Sequence, residues 1–207
     1  MIHIRILLTG FEPFGGADIN PSWEVVSSLQ ESAFPNIEIV KSQLPVCFNK
    51  VKGRVIDLLQ KESPDVLLSL GQSSDTTITL EKVAINFIDA QISDNCGLQP
   101  QDEYIEEDGP PAYFSTLPLR SIQTALHSAG IPAEISYSAG TFCCNQLMYC
   151  ALHYVIQVQL DTKIGFIHVP CLPQQVILEP GIPSMALTTI NKALTMIIQC
   201  LTNELKD

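Results

Sequence analysis

The chain has 207 residues, of which 46% are hydrophobic and 16% charged, with mean hydropathy +0.21 and formal net charge -11 at pH 7. The acidic balance, with no basic run beyond isolated pairs such as Lys50 and Lys52, opposes a phosphate backbone and excludes nucleic acid as an expected partner. No apolar run reaches the ~18 residues needed to cross a bilayer, and one domain of this length buries roughly 70% of the surface its unfolded form exposes, so a membrane partner is not expected and no staple is required.

The opening stretch, Met1 to Leu8, lacks the long apolar region and small-residue cleavage site of a signal peptide, so a cytoplasmic location is expected. It alternates like a strand over Ile2 to Leu8 and then runs into Thr9 to Gly16, a loop with three glycines and two phenylalanines, Phe11 and Phe14. Asn20-Pro21 gives a cap and a proline at the first helical position, ahead of Trp23, Val26 and Leu29 on one helix face. Ile37 to Leu44 reads as a strand, and Asn49 to Glu62 as a helix turning Val51, Val55, Leu58 and Leu59 inward. Val66 to Leu70 is a third strand, and Thr76 to Ile92 reads as strands of a side sheet or hairpin. Asp94 to Ser115 is polar and irregular, long enough to predict a functional loop or an assembly segment. Its acidic run, Asp102 to Asp108, lacks EF-hand spacing and reads as a solvated loop.

Leu117 to Ala129 is a helix stopped by Gly130, and Ala133 to Ser138 a strand. The turn Ala139-Gly140-Thr141 then leads to a helix over Asn145 to Val158, followed by a strand Lys163 to Val169. A proline-bearing linker to Pro183 precedes a last helix, Ser184 to Leu205. Strands alternating with helices predict a single-domain, three-layer α/β/α sandwich over 1–207 with a largely parallel, mixed and twisted sheet. The seven cysteines are odd in number, two are adjacent, and reduced thiols are expected.

In such sheets ligands bind beyond the carboxyl ends of the strands. Those ends deliver Thr9 to Gly16, Gly71 to Ser74, Gly140 to Cys144, and His168-Val169-Pro170. Cys144 falls in a first helical turn, where unpaired N–H groups and the positive end of the helix dipole favour a thiolate. The same groups suit the oxyanion formed when a carbonyl is attacked. Of the four histidines only His168 stands at a strand end, which makes it the candidate base. Glu81, among largely apolar neighbours, is placed to orient an imidazole, although periodicity alone favours a surface glutamate paired with a lysine. Cys143 competes with Cys144 as nucleophile, and a zinc site from Cys143, Cys144, His168 and Cys171 is a further alternative, with no C-x-x-C pair to support it. No phosphate-binding glycine motif follows any strand.

The motifs L-L-T-G-F-E-P-F-G-G, N-P-S, L-E-K-V-A-I-N, D-G-P-P-A-Y-F-S-T-L-P, S-Y-S-A-G-T-F-C-C-N-Q-L-M-Y and H-V-P-C-L-P-Q-Q occur in that order across nearly the whole chain. Together they resemble the pyroglutamyl peptidase I family, also called pyrrolidone carboxyl peptidases. The resemblance implies a cysteine exopeptidase, without metal or cofactor, that removes an N-terminal pyroglutamyl residue from peptides. It maps a catalytic triad onto Cys144, His168 and Glu81, and deciding for Cys144 over Cys143 rests on it. It further implies that Phe11 and Phe14 sandwich the lactam, with contacts from Gln72 and Ile92, and that the chain assembles as a homotetramer.

One stretch departs from the family pattern. Where its members carry G-Q-A-G-G-R, this chain reads Gly71-Gln72-Ser73-Ser74-Asp75-Thr76, without the glycine pair or the arginine. The departure motivates two rival readings: a cysteine hydrolase for another cyclic amide or acyl group, and a paralogue that binds pyroglutamyl peptides without cleaving them.

Overall fold

The computed structural model describes residues 4–179 and 181–205. Ile2 and His3, placed in the first strand by the sequence, lie outside the described residues. Six strands form one sheet: β1 (Ile4–Phe11), β2 (Ile37–Leu44), β3 (Val66–Ser73), β4 (Ile78–Glu81), β7 (Ala133–Ser136) and β8 (Lys163–Pro170). Their order is β2-β1-β3-β8-β4-β7; β2, β1, β3 and β8 are mutually parallel, whereas β4 runs antiparallel to β8 and parallel to β7. A small antiparallel ribbon pairs β5 (Val83–Ile85) with β6 (Ala112–Phe114).

Helices α1 (Pro21–Ser28), α3 (Leu119–Ser128) and α5 (Leu187–Glu204) cover one face, while α2 (Phe48–Glu62) and α4 (Cys143–Gln157) cover the other. The period-2 alternation of the strands sorts the side chains between these layers. Leu68, Leu70, Ile167 and Val169 pack with α1, α3 and α5, and Leu67, Ile164 and Phe166 with α2 and α4. With both sheet faces covered, the central strands are nearly all buried.

Several elements end later than the sequence predicts, and packing explains where. β1 continues through Gly10 to Phe11 because Gly10 lets α1 approach; a Cβ there would lie 2.7 Å from the Ser22 carbonyl. Asn20 caps α1, its Oδ1 accepting from Ser22 N at 3.1 Å, a contact that contributes about 1 kcal/mol. The Thr76 to Ile92 stretch divides: β4 enters the main sheet, and only β5 belongs to the side ribbon. All four β4 residues are buried, so the alternation of a half-exposed strand is lost. The Asp94 to Ser115 segment is anchored rather than free. Asp94, buried, accepts backbone N–H bonds from Phe48, Cys96 and Leu98 at 2.7 to 2.8 Å.

The thiol expectation needs one correction. Cys47, just before α2, and Cys96, in the anchored segment, form a disulfide. Asp94 fixes the backbone of both Phe48 and Cys96, so the two cysteines face each other across residues 49 positions apart. Spacing alone carried no sign of this long-range contact.

Candidate active site

The parallel strands β1, β3 and β8 end side by side, and β4 lies antiparallel beside β8. In that register Thr79 pairs with His168 and Glu81 with Phe166. Directly opposed residues project to one face, as do residues two apart on a strand, so Thr79, Glu81 and His168 share the face covered by α4. His168 Nδ1 meets Glu81 Oε1 at 2.8 Å. An ionised carboxylate only accepts, so with Glu81 charged Nδ1 holds the proton of this bond. Thr79 Oγ1 also donates to Glu81 Oε1, at 2.8 Å. Glu81 is 1% exposed, which removes the surface reading of this residue.

Burial acts to lower the His168 pKa. The charge of and hydrogen bond to Cys144, followed by the hydrogen bond and charge of Glu81, outweigh it and raise the value to about 10. Cys144 and Glu81 thus both bear on the ring, and Glu81 holds it through Nδ1.

Cys144 sits at the second position of α4, whose cap residue is Phe142. The turn before it requires Gly140, which adopts φ +78. The first backbone N–H to bond back onto the cap is that of Gln146, to Phe142 O at 3.1 Å, leaving the preceding N–H groups without an intrahelical partner. Helix α4 itself is held firmly. Asn145 exchanges bonds with Ile85 N and O at 2.8 and 2.9 Å and donates to Phe87 O at 3.0 Å. Gln146 donates to Phe48 O at 3.1 Å.

The two adjacent cysteines differ in surroundings. Cys143 is 1% exposed and packs among Leu147, Phe48 and their neighbours, and burial pushes its thiol far up from the ordinary value. Cys144 is half-buried and faces the cavity. Room for its sulfur comes from Gly71: a Cβ there would stand 2.9 Å from Cys144 Sγ and 2.8 Å from the Phe166 ring.

That cavity measures about 320 Å³ and brings together all the residues singled out for binding: Phe11, Phe14, Gln72 and Ile92, with Cys144 and His168 at its base. Phe11 is buried, with its ring 6.4 Å from Phe166, whereas Phe14 is partly exposed and stands 6.2 Å from Phe142. Gln72 is fixed by the segment after β8. Its Nε2 contacts Cys171 Sγ at 3.3 Å, and its Oε1 accepts from Gln175 Nε2 at 3.2 Å. Ile92 lies on a loop tied to α4's approach, where Thr141 Oγ1 donates to Asp89 O at 2.8 Å.

Phe142 and Thr141 also line the cavity, and sequence reasoning did not single them out. Their position immediately before the cysteine pair was the available signal. Thr79 was missed as well, although the alternation Thr79-Leu80-Glu81 places both polar side chains on one face. Among the described residues, Cys143, Cys144, His168 and Cys171 do not converge as a metal-ligating group. Cys171 is engaged by Gln72 and by Ser73 O instead.

Comparison with known proteins supplies the family. The model of the family described as pyroglutamyl peptidase matches residues 4–204. A pyrrolidone-carboxylate peptidase from Escherichia fergusonii is 48% identical over 198 residues, covering 95% of this chain and 92% of that protein. One from Alkaliphilus oremlandii is 46% identical over 99% of this chain and 96% of its own length. Among solved structures, a mutant pyrrolidone carboxyl peptidase from the hyperthermophile Pyrococcus furiosus superposes with TM-score 0.93 at 38% identity, covering 98% of this chain and all of its own. Pyroglutamyl peptidase I of Bacillus amyloliquefaciens gives 0.92 at 40% identity, with 97% of each chain covered. With this α/β/α scaffold and a cysteine and a histidine at the base of one cavity, the chain belongs to the pyroglutamyl peptidase family of cysteine peptidases.

Proposed function

We propose that this chain releases N-terminal pyroglutamate from peptides through Cys144, His168 and Glu81. The observation that carries the reading is the buried Glu81–His168 hydrogen bond at 2.8 Å, beside a half-buried cysteine at a helix start. His168 takes the Cys144 proton, giving an ion pair, and the thiolate attacks the pyroglutamyl carbonyl. The resulting oxyanion is received by N–H groups at the start of α4. The imidazolium then protonates the leaving amine, a thioester forms, and water activated by the neutral imidazole releases pyroglutamate. Glu81 keeps the ring oriented and its charged form stable throughout. Thiol, imidazole and water complete the chemistry, so the reading calls for no metal or cofactor.

Phe11 and Phe14 supply flat apolar faces for the lactam, Ile92 closes the wall, and Gln72 offers an amide for its polar edge. An open-chain glutamate would bring two charges into an aromatic cavity and lose their hydration. The changed loop after β3 bears little on this: among the described lining residues Gln72 is present, whereas Ser73 to Thr76 are not. That favours the pyroglutamyl reading over both the altered-substrate and the non-cleaving alternatives.

The decisive assay compares release of a fluorescent amine from pyroglutamyl, prolyl and glutamyl amides. Turnover of the pyroglutamyl amide alone is expected; equal turnover of the prolyl amide, or none of any, would overturn the specificity assigned to the cavity. The family resemblance further supports one catalytic unit over 1–207, a cytoplasmic location and a homotetramer. Light scattering of the purified chain tests the assembly.

A further inference from the structure

Glu81 is the most deeply buried of the three groups Cys144, His168 and Glu81. At 1% exposure it has two hydrogen-bond partners, and both use the same oxygen: His168 Nδ1 and Thr79 Oγ1 each approach Oε1 at 2.8 Å. Its other oxygen, Oε2, is buried without a partner. A buried carboxylate with so few donors depends strongly on each one. Two features make Thr79 more than a filler of the strand. It is directly paired with His168 across the β4–β8 ladder, and its hydroxyl reaches forward two residues to the carboxylate that the imidazole also uses. The hydroxyl is itself nearly inaccessible, Thr79 being 3% exposed, so water does not readily replace it.

Resting on the triad reading above, we infer that Thr79 is a positioning residue for the reaction: its hydroxyl fixes the Glu81 carboxylate at the rotamer that holds His168. Thr79 itself touches neither substrate nor the reacting atoms. Removing its hydroxyl leaves Glu81 with His168 as its one remaining donor among the described residues, so the carboxylate gains freedom to rotate away from the ring. The imidazolium then loses part of its counter-charge. The ionisable groups that bear on this ring are Cys144 from α4 and Glu81 from β4, and Thr79 acts only on the second.

The test compares Thr79→Val, near in volume but without the hydroxyl, with Thr79→Ser, which restores it. For Thr79→Val, kcat should fall roughly tenfold, the scale of one hydrogen bond to a charged group, with KM little changed. The alkaline limb of kcat/KM should move down by about one pH unit. Thr79→Ser should recover both. Should Thr79→Val lose stability yet keep the native alkaline limb and kcat, Thr79 would be structural only and the inference would fail. Failure of the underlying reading has a different signature, namely activity retained in His168→Ala or Cys144→Ala.

Discussion

Glu81 and His168 stand on adjacent antiparallel strands, offset by two residue pairs of the ladder, with Oε1 2.8 Å from Nδ1. The offset matters because Glu81 pairs with Phe166 while Thr79 takes the place opposite His168. The carboxylate therefore reaches the ring diagonally, along the sheet face that α4 covers.

This geometry sets an expectation for pH. The His168 pKa is raised, so its protonated form persists above the ordinary imidazole range of about 6.5 and is lost only as pH rises through about 10. In the proposed mechanism the imidazolium protonates the leaving amine, so the alkaline limb of kcat/KM should lie well above neutrality. The same sign governs stability: the contribution is complete below the unfolded value and disappears as pH rises through the folded one. Glu81→Gln removes the counter-charge and should pull the alkaline limb downward. An unchanged limb in Glu81→Gln would separate Glu81 from His168 in function.

Gly71 gives a second expectation. It pairs with His168 in the β3–β8 ladder, and a side chain there would press on Cys144 Sγ at 2.9 Å. Gly71→Ala should displace the nucleophile or the Phe166 ring by several tenths of an ångström. Misplacement of this kind costs on the order of a hundredfold in turnover. Steady-state kinetics beside a thermal melt checks it: kcat should fall far more than stability does, and full activity would show that Cys144 has room to retreat.

A third concerns the Cys47–Cys96 disulfide, which joins the start of α2 to the loop beyond Ile92. Its neighbour Asn95 donates to Glu12 Oε1 at 2.9 Å and to Pro13 O at 2.8 Å, so the bond also braces the loop carrying Phe14. Cys96→Ser should lower unfolding free energy by about 2–4 kcal/mol, read from urea melts. KM for the pyroglutamyl amide should rise more than kcat falls, because the wall rather than the base of the cavity loosens. The native chain in reductant should approach the variant. Identical melting of oxidised native chain and Cys96→Ser would remove the disulfide from the stability of this region.

Much of this arrangement was legible in the sequence for identifiable reasons. Asn20-Pro21, Gly130 and the inward stripe of α2 mark helix limits and faces locally, and the strands before Gly71 and Pro170 declare themselves by short apolar runs. The rule that sites form at strand ends points to His168 and to the Cys143-Cys144 pair, whereas the choice of Cys144 within that pair rests on the family resemblance. Glu81 was less accessible, because the offset pairing of β4 with β8 joins residues 87 positions apart. The place of β4 in the main sheet is hidden for the same reason: its alternation marks a strand, but nothing local names β8 and β7 as its partners. The Cys47–Cys96 contact is set by the hydrogen bonds of Asp94, which no local pattern announces. Helix α4 was traced only roughly at its start, being buried on most sides so that its periodicity is weak.

The central claim is that Cys144, and not its neighbour Cys143, attacks the substrate. Its most direct test is stoichiometric alkylation of the native chain with iodoacetamide, followed by peptide mapping, with and without pyroglutamate present. Label should appear on Cys144, be slowed by pyroglutamate, and extinguish hydrolysis of the pyroglutamyl amide in proportion. Label on Cys143 that tracks the loss of activity, or full activity with Cys144 alkylated, would contradict the account.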